Sequence, residues 1–202
     1  MRPLILDFDD FRESENALDM LFRMKGRWPA FKVTLFTIPM QCSKAFLNEV
    51  SKLPWIQLAV HGWEHRFKEC AGWNNDTAET YLRIAQGWVN DEGKPIFVKG
   101  FKPPQWVWNQ ATVDMAVKAG YWLALNSDSS AMVPGTQIPA EAKSYTCNGP
   151  DIGYEREHGH IGCLDCHNDL RQIFNDLMDK YPENQEFQFI DEYVAKVWPA
   201  ST

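Results

Sequence analysis

Two short stretches hold the residues best suited to chemistry. "LAVHGWEH" (58–65) ends an apolar run with His61 and His65, four positions apart, and "DFDDF" (7–11) sets Asp9 beside Asp10. If 61–65 is helical, both imidazoles lie one turn apart and can face one point. Asp10, from another element, would then complete a His₂Asp set. Three protein ligands with positions left open for water is the catalytic arrangement for a divalent ion. Zn²⁺ suits such donors best, and Co, Ni or Fe also fit them. Adjacent aspartates point in different directions, so Asp10 can ligate while Asp9 acts as a base. Plainer alternatives stand beside this: two solvated histidines, and acidic residues favoured at a helix N-terminus. Buried carboxylates at a strand end need a partner, however, and a metal would be one.

Something must carry these residues to one place. Apolar runs at 3–8, 31–38, 56–60, 96–101, 121–127 and 187–190 read as strands, and "HIGCLDC" (160–166) as another. Helical spacing covers 13–26, 43–52, 76–93, 109–120, 168–181 and 191–198. Ser43 and Asn168 are N-cap residues, and Gly26, Gly93 and Gly120 are stops. Residues 128–150 read as a long loop with room for one strand. Strand and helix alternate, which predicts parallel strands with crossover helices, in an α/β sheet or a (β/α) barrel. Such folds place functional groups at the C-terminal ends of their strands. Asp7, Asp9 and Asp10 follow the first strand, His61 and His65 the third, and "KPPQW" (102–106) the fourth. Asn126 and Asp128 follow the fifth, and His167 the late one.

The length, 202 residues, suits one domain over 1–202. A net charge of −7 argues against nucleic acid or an anionic membrane as partner, because both need clustered Lys and Arg. No apolar run is long enough to span a bilayer. "MRPLILDFDD" lacks a secretory pattern, so the chain reads as cytoplasmic or as released by lysis, as a phage product would be. The five cysteines are odd in number and irregularly spaced, which predicts mostly free thiols. Nine tryptophans imply either a large core or a groove that stacks on sugar rings.

The ordered set of motifs resembles the polysaccharide deacetylase (NodB-homology) family of carbohydrate esterases. "DFDD" is similar to their "TFDD", "HGWEH" to H-[ST]-x-x-H, "KPPQW" to R-x-P-Y-G, and "GCLDCH" to a late strand ending in His. The resemblance spans roughly residues 5–168. It implies a distorted (β/α) barrel of about seven strands and a metal-dependent removal of acetyl groups from N- or O-acetylated sugars. It implies Asp9 as general base and Asp10, His61 and His65 as metal ligands. Lys102 would contact the base, and Lys102, Gln105 and Trp106 would border the substrate, with the Gln105 N–H helping to hold the oxyanion. Prolines 103 and 104 have no N–H to offer. His167 would be the general acid, with His160 and His158 in reserve.

The sequence also departs from that pattern. Asp7 stands where Thr is usual, Gly62 where Ser or Thr is, and Phe11 where Gly is. Lys102 replaces Arg and loses its bidentate fork, Gln105 replaces Tyr, and Trp106 replaces Gly. The fourth motif, an Asp soon followed by Trp, is not clear; Asp128 is its candidate, as a partner of Lys102. Three rival readings remain. One is a degenerate protein that binds glycan without cleaving it. Another is an H-x-x-E-H protease with Glu64 as base, which requires both histidines inside a long helix. The third takes Cys163, Cys166 and His167 as C-x-x-C-H, for haem attachment or, with Cys147, for structural zinc.

Overall fold

The computed structural model describes residues 2–126, 132–147, 153–161 and 170–199. Its elements run β1 (Leu4–Phe11), α1 (Glu15–Arg27), β2 (Val33–Thr37), α2 (Lys44–Val50), β3 (Ile56–His61), α3 (Asn75–Gln86) and β4 (Gly100–Lys102). They continue with α4 (Gln110–Lys118), β5 (Trp122–Leu125), β6 (Ser144–Thr146), β7 (Glu155–His160), α5 (Leu170–Lys180), β8 (Phe187–Gln188) and α6 (Ile190–Val197). Seven strands follow the order β6-β5-β4-β3-β2-β1-β7, and β8 adds a short pairing to Leu4 and Ile5. Every pairing between these strands is parallel. The sheet curls into an open, distorted (β/α) barrel.

The two-residue period of a strand sorts the barrel's side chains. Leu4, Leu6 and Phe8 face outward into the larger core, with Leu21 and Met24 of α1 and Leu82 and Ala85 of α3. Ile5, Phe36, Ala59, Trp122, Ala124 and Tyr145 face inward and meet Ile190, Tyr193 and Val194 of α6. Helix α6 therefore plugs the N-terminal mouth. Its first turn is pinned there: Ile190 N donates to Thr34 Oγ1 at 3.3 Å, and Trp122 Nε1 donates to Asp191 at 3.0 Å. With that mouth closed, the polar residues on the same inward face, further along the strands, are left at the opposite end.

Among the described residues no ladder joins β6 to β7. The Arg156 guanidinium crosses this seam: Nη1 donates to the Thr146 carbonyl, and its carbon lies 4.7 Å from the Tyr145 ring centre. Six of the nine tryptophans (28, 55, 63, 73, 108 and 122) are buried, so their number reflects core more than groove.

The expected elements shift in four places. Helix α1 runs through Gly26 to Arg27 rather than stopping at it. Helix α3 stops at Gly87, well short of residue 93, because Asn90 Oδ1 folds the chain back by accepting from the N–H groups of Glu92 and Lys94. Strand β4 covers only 100–102, where a bare Gly100 lets the Trp122 ring pack against the backbone. A strand that was not expected runs over "EREHGH" (155–160), and the expected one at 160–166 lies, beyond Ile161, outside the described residues. The charged residues of 155–160 hid that strand. Glu157 is bound by Lys180 and by Tyr181 Oη at 2.8 Å, so the polar groups of a half-buried strand have partners. Ser43 caps α2 as expected, accepting from Phe46 N at 3.1 Å. Asn168 lies outside the described residues.

A candidate metal centre at the strand ends

Strand β1 delivers three carboxylates to the open end of the barrel. Asp7 and Asp9 share the inward face with Ile5. Strict alternation would turn Asp10 outward. It does not, because the register with β2 slips by one residue between Phe8 and Phe11. Asp10 has φ +63° at that bulge, a left-handed conformation that Asp tolerates better than most residues. The bulge re-aims Asp10, so both adjacent aspartates reach the same cavity. All three are buried, at 0%, 3% and 8% exposure.

Residues 61–65 form no helix. His61 is the last residue of β3, and a tight turn follows with φ +62° at Gly62 and +65° at His65. Glu69 holds this turn together. One carboxylate oxygen accepts from Trp63 N and Glu64 N, each at 3.0 Å, and the other accepts from His65 N at 2.7 Å. A Cβ at position 62 would lie 2.6 Å from Pro104 Cγ and 2.7 Å from Glu69 Oε2, so glycine replaces Ser or Thr here for steric reasons. The turn brings both imidazoles onto Asp10. His65 Nε2 is 2.8 Å and His61 Nε2 3.5 Å from Asp10 Oδ1. His61 Nδ1 donates to the Lys102 carbonyl at 3.0 Å, which turns Nε2 to the site. Burial alone would raise the Asp10 pKa, but bonds from His61 and His65 outweigh it and hold the carboxyl well below its usual range. The Asp10 bond raises the His65 pKa in turn, against the opposing effect of burial.

Lys102 is fully buried at the end of β4. Its ammonium lies 2.7 Å from Asp9 Oδ1 and 3.7 Å from Asp7 Oδ1, with the Trp106 ring centre at 3.9 Å and that of Phe36 at 4.8 Å. Burial disfavours this charge, yet Asp9 and Asp7 keep the lysine pKa above normal. Burial likewise pushes Asp9 up, and Lys102, His61 and His158 pull it below the ordinary carboxylate value. From β7, His158 Nδ1 lies 2.6 Å from Asp7 Oδ1, and its Nε2 lies 3.7 Å from Asp9 Oδ2. His160 Nε2 is 4.0 Å from the same oxygen, and burial lowers its pKa.

Asp10, His61 and His65 offer ligand atoms within 4.8 Å of one another. Two other groupings meet that spacing, Asp9–His158–His160 and Asp7–Cys147–His158. A cation in either would face the Lys102 ammonium already seated between Asp7 and Asp9. With neutral imidazoles, three carboxylates against one ammonium leave two negative charges, which one divalent ion would balance. The residues present therefore fit a single metal at Asp10, His61 and His65.

The rim beyond is built from "KPPQW". Gln105 and Trp106 both have positive φ, at +57° and +62°. The Trp106 and Val107 N–H groups bond back to the Pro103 and Pro104 carbonyls, and Gln105 Oε1 accepts from Lys68 N at 3.1 Å. Trp106, with Trp108, Ala124, Leu125 and Ile138, also lines an apolar cleft of about 140 Å³.

Of the residues singled out from sequence, Asp9, Asp10, His61, His65, Lys102, Gln105, Trp106, His158 and His160 thus stand at one end of the barrel. His167, Asp128, Cys163 and Cys166 lie outside the described residues. Lys102 pairs with Asp9 and Asp7. Glu64 neighbours Arg66, and its placement in a turn removes the helix that a protease reading requires. Asp7 and Glu69 were missed as site residues. Asp7 carried a signal, a carboxylate where Thr is usual; Glu69, on a short loop, carried none. Cys42, Cys70 and Cys147 are free thiols. No described helix is long and apolar enough to cross a membrane.

No family model and no curated protein sequence matches this chain. Solved structures do. The Xyl-CE4 domain of a multidomain xylanase from the hindgut metagenome of Trinervitermes trinervoides matches 97% of this chain and 90% of its own, with TM-score 0.61 and 15% identity. A family 4 acetyl xylan esterase from Clostridium thermocellum, in complex with cobalt, matches 97% and 91%, with TM-score 0.63 and 12% identity. BA3943 from Bacillus anthracis, a CE4 family pseudoenzyme, matches 96% and 65%, with TM-score 0.59 and 9% identity. At these identities the likeness is one of fold, and this chain has the fold of the family 4 carbohydrate esterases.

Proposed function

We propose that this protein is a metal-dependent hydrolase that removes acetyl groups from N-acetylated or O-acetylated sugars. The observation that carries the reading is the Asp10–His61–His65 set, closed around one point beside an Asp9 held ionised by Lys102. The fold alone does not decide between catalysis and mere glycan binding, since one protein of this fold is a pseudoenzyme. The complete donor set supports catalysis.

Asp10, His61 and His65 would hold the ion. Zn²⁺ suits the donors, and the cobalt in the acetyl xylan esterase shows that a protein of this fold takes up such ions. When bound, the metal would polarise the acetyl carbonyl and lower the pKa of a water. Asp9 is the base that takes a proton from the attacking water. Lys102 keeps Asp9 ionised and fixed. The Gln105 N–H donates to the developing oxyanion. His158 protonates the leaving nitrogen or oxygen. We assign the acid to His158 over His160 because its Nδ1 is anchored at 2.6 Å while its Nε2 faces Asp9.

The test is hydrolysis of N-acetylated chito-oligosaccharides and acetylated xylan by zinc-loaded protein. Asp9→Asn is expected to cut kcat by about 10²–10⁴-fold, the worth of a general base, with bound metal unchanged. Full activity in that variant, or a wild-type protein that binds no divalent metal, overturns the proposal. Glu64→Gln is expected to retain activity, and its loss would revive the protease reading.

A further inference from the structure

We infer that Asp7 is a positioning residue: it holds the His158 ring in one tautomer, so that Nε2 is the atom presented to the leaving group. The kinetic half of this inference rests on the deacetylase reading; the structural half does not. Asp7 and His158 are direct partners across the β1–β7 ladder, both on the inward face. Asp7 is fully buried, and its Oδ1 lies 2.6 Å from His158 Nδ1. Its other oxygen has no hydrogen-bond partner among the described residues.

The ring nitrogen Nδ1 has two neighbours that ask for opposite tautomers. Lys102 Nζ lies 3.5 Å away and can only donate, which would leave the proton on Nε2. The Asp7 carboxylate can only accept, which puts the proton on Nδ1. The separations decide between them, because 2.6 Å is a short charge-assisted bond and 3.5 Å is the limit of contact. The lysine is in any case committed to Asp9 at 2.7 Å. With Nδ1–H donating to Asp7, the other nitrogen faces Asp9 Oδ2 at 3.7 Å. During turnover Nε2 picks up the proton that Asp9 has taken from the attacking water, which makes the ring a transient imidazolium balanced by Asp7, and passes it to the departing atom as the bond from the acyl carbon breaks. Among the described residues His160 has no such anchor, and it is more exposed, at 37% of its side chain. The Asp7 carboxylate stands where the resembled family carries Thr.

Two measurements test this. The first reads ¹⁵N resonances of the histidines in the zinc-loaded wild-type protein at a pH where the rings are neutral, with His158 assigned through His158→Gln. The proton is expected on Nδ1; finding it on Nε2 overturns the inference, whatever the protein's activity. The second compares Asp7→Asn with wild type on an N-acetylated sugar and on 4-nitrophenyl acetate, whose leaving group needs no protonation. On the sugar kcat is expected to fall about 10²–10³-fold, within the range for general acid catalysis, with KM and zinc content little changed. The loss on the ester is expected to be at least tenfold smaller. Equal losses on both substrates would mean a merely structural role and overturn the inference. If wild type cleaves neither substrate, the deacetylase reading falls and the tautomer alone decides the role of Asp7.

Discussion

Lys102 is where this site departs most from the pattern it resembles, and its surroundings explain the choice of residue. The ammonium sits 3.9 Å from the Trp106 ring centre and 4.8 Å from that of Phe36, with no exposure. A compact point charge fits that slot, whereas a guanidinium fork is bulkier and planar. Lys102→Arg is therefore expected to overpack the site and cost about 1–3 kcal/mol in denaturant unfolding. Lys102→Met is expected to cost more, about 3–5 kcal/mol, because it leaves Asp9 buried without its counter-charge. A second readout separates charge from packing. Lys102 is the strongest of the groups pulling the Asp9 pKa down, so its removal raises that pKa. The base must be ionised to work, so the acid limb of the kcat/KM profile is expected to move to higher pH in Lys102→Met. An unmoved limb would mean that Lys102 does not set the charge state of the base.

At the scale of elements, the site depends on two local distortions: the bulge at Asp10 and the turn from His61 to His65. Glu69 receives three N–H groups of that turn, and nothing in "KEC" or its spacing announces this. Glu69→Gln keeps the volume but replaces one acceptor oxygen with a donor facing donors. His65 is then expected to lose its fixed approach, and zinc affinity to fall about 10–100-fold, the usual worth of groups that orient ligands. Competition with a chromophoric chelator would measure this, with circular dichroism confirming an intact sheet. Unchanged affinity would place the control of the turn elsewhere, in Gly62 and Pro104. This contrast also marks what could be read from the sequence. Strands whose inward and outward faces are both apolar, such as "PLILDF" and "IQLAV", announce themselves, and so do polar residues that follow them. Strand β7 did not, because its residues are held by cross-strand and helix partners such as Lys180 that only the fold supplies. The bulge was equally hidden: it inserts one residue against β2, and neither strand's composition reports that.

For the whole molecule, one barrel end gathers three buried carboxylates from β1, one ammonium from β4 and four imidazoles from β3, the turn after it and β7, while helix α6 closes the other end. The residual negative charge must be balanced, and the means of balancing it depends on pH. Without metal, the His65–Asp10 bond raises the His65 pKa. A pKa raised on folding adds stability below the unfolded histidine value, and that stability is lost as pH rises through the folded one. Metal does the opposite, since it needs the deprotonated ring and competes with the proton. Both effects make the metal-free barrel comparatively better off in acid and the loaded barrel better off in base. Zinc at about 100 times its Kd would add about 2.7 kcal/mol. At about 2–4 °C per kcal/mol for a chain of this length, that is a Tm rise of roughly 5–11 °C at pH 8. The rise is expected to shrink at pH 6, where His65 is protonated, and to vanish in His65→Ala at both values. Thermal scans with zinc and with chelator at the two pH values measure it. An equal rise at both would show that the ion sits somewhere other than on His65.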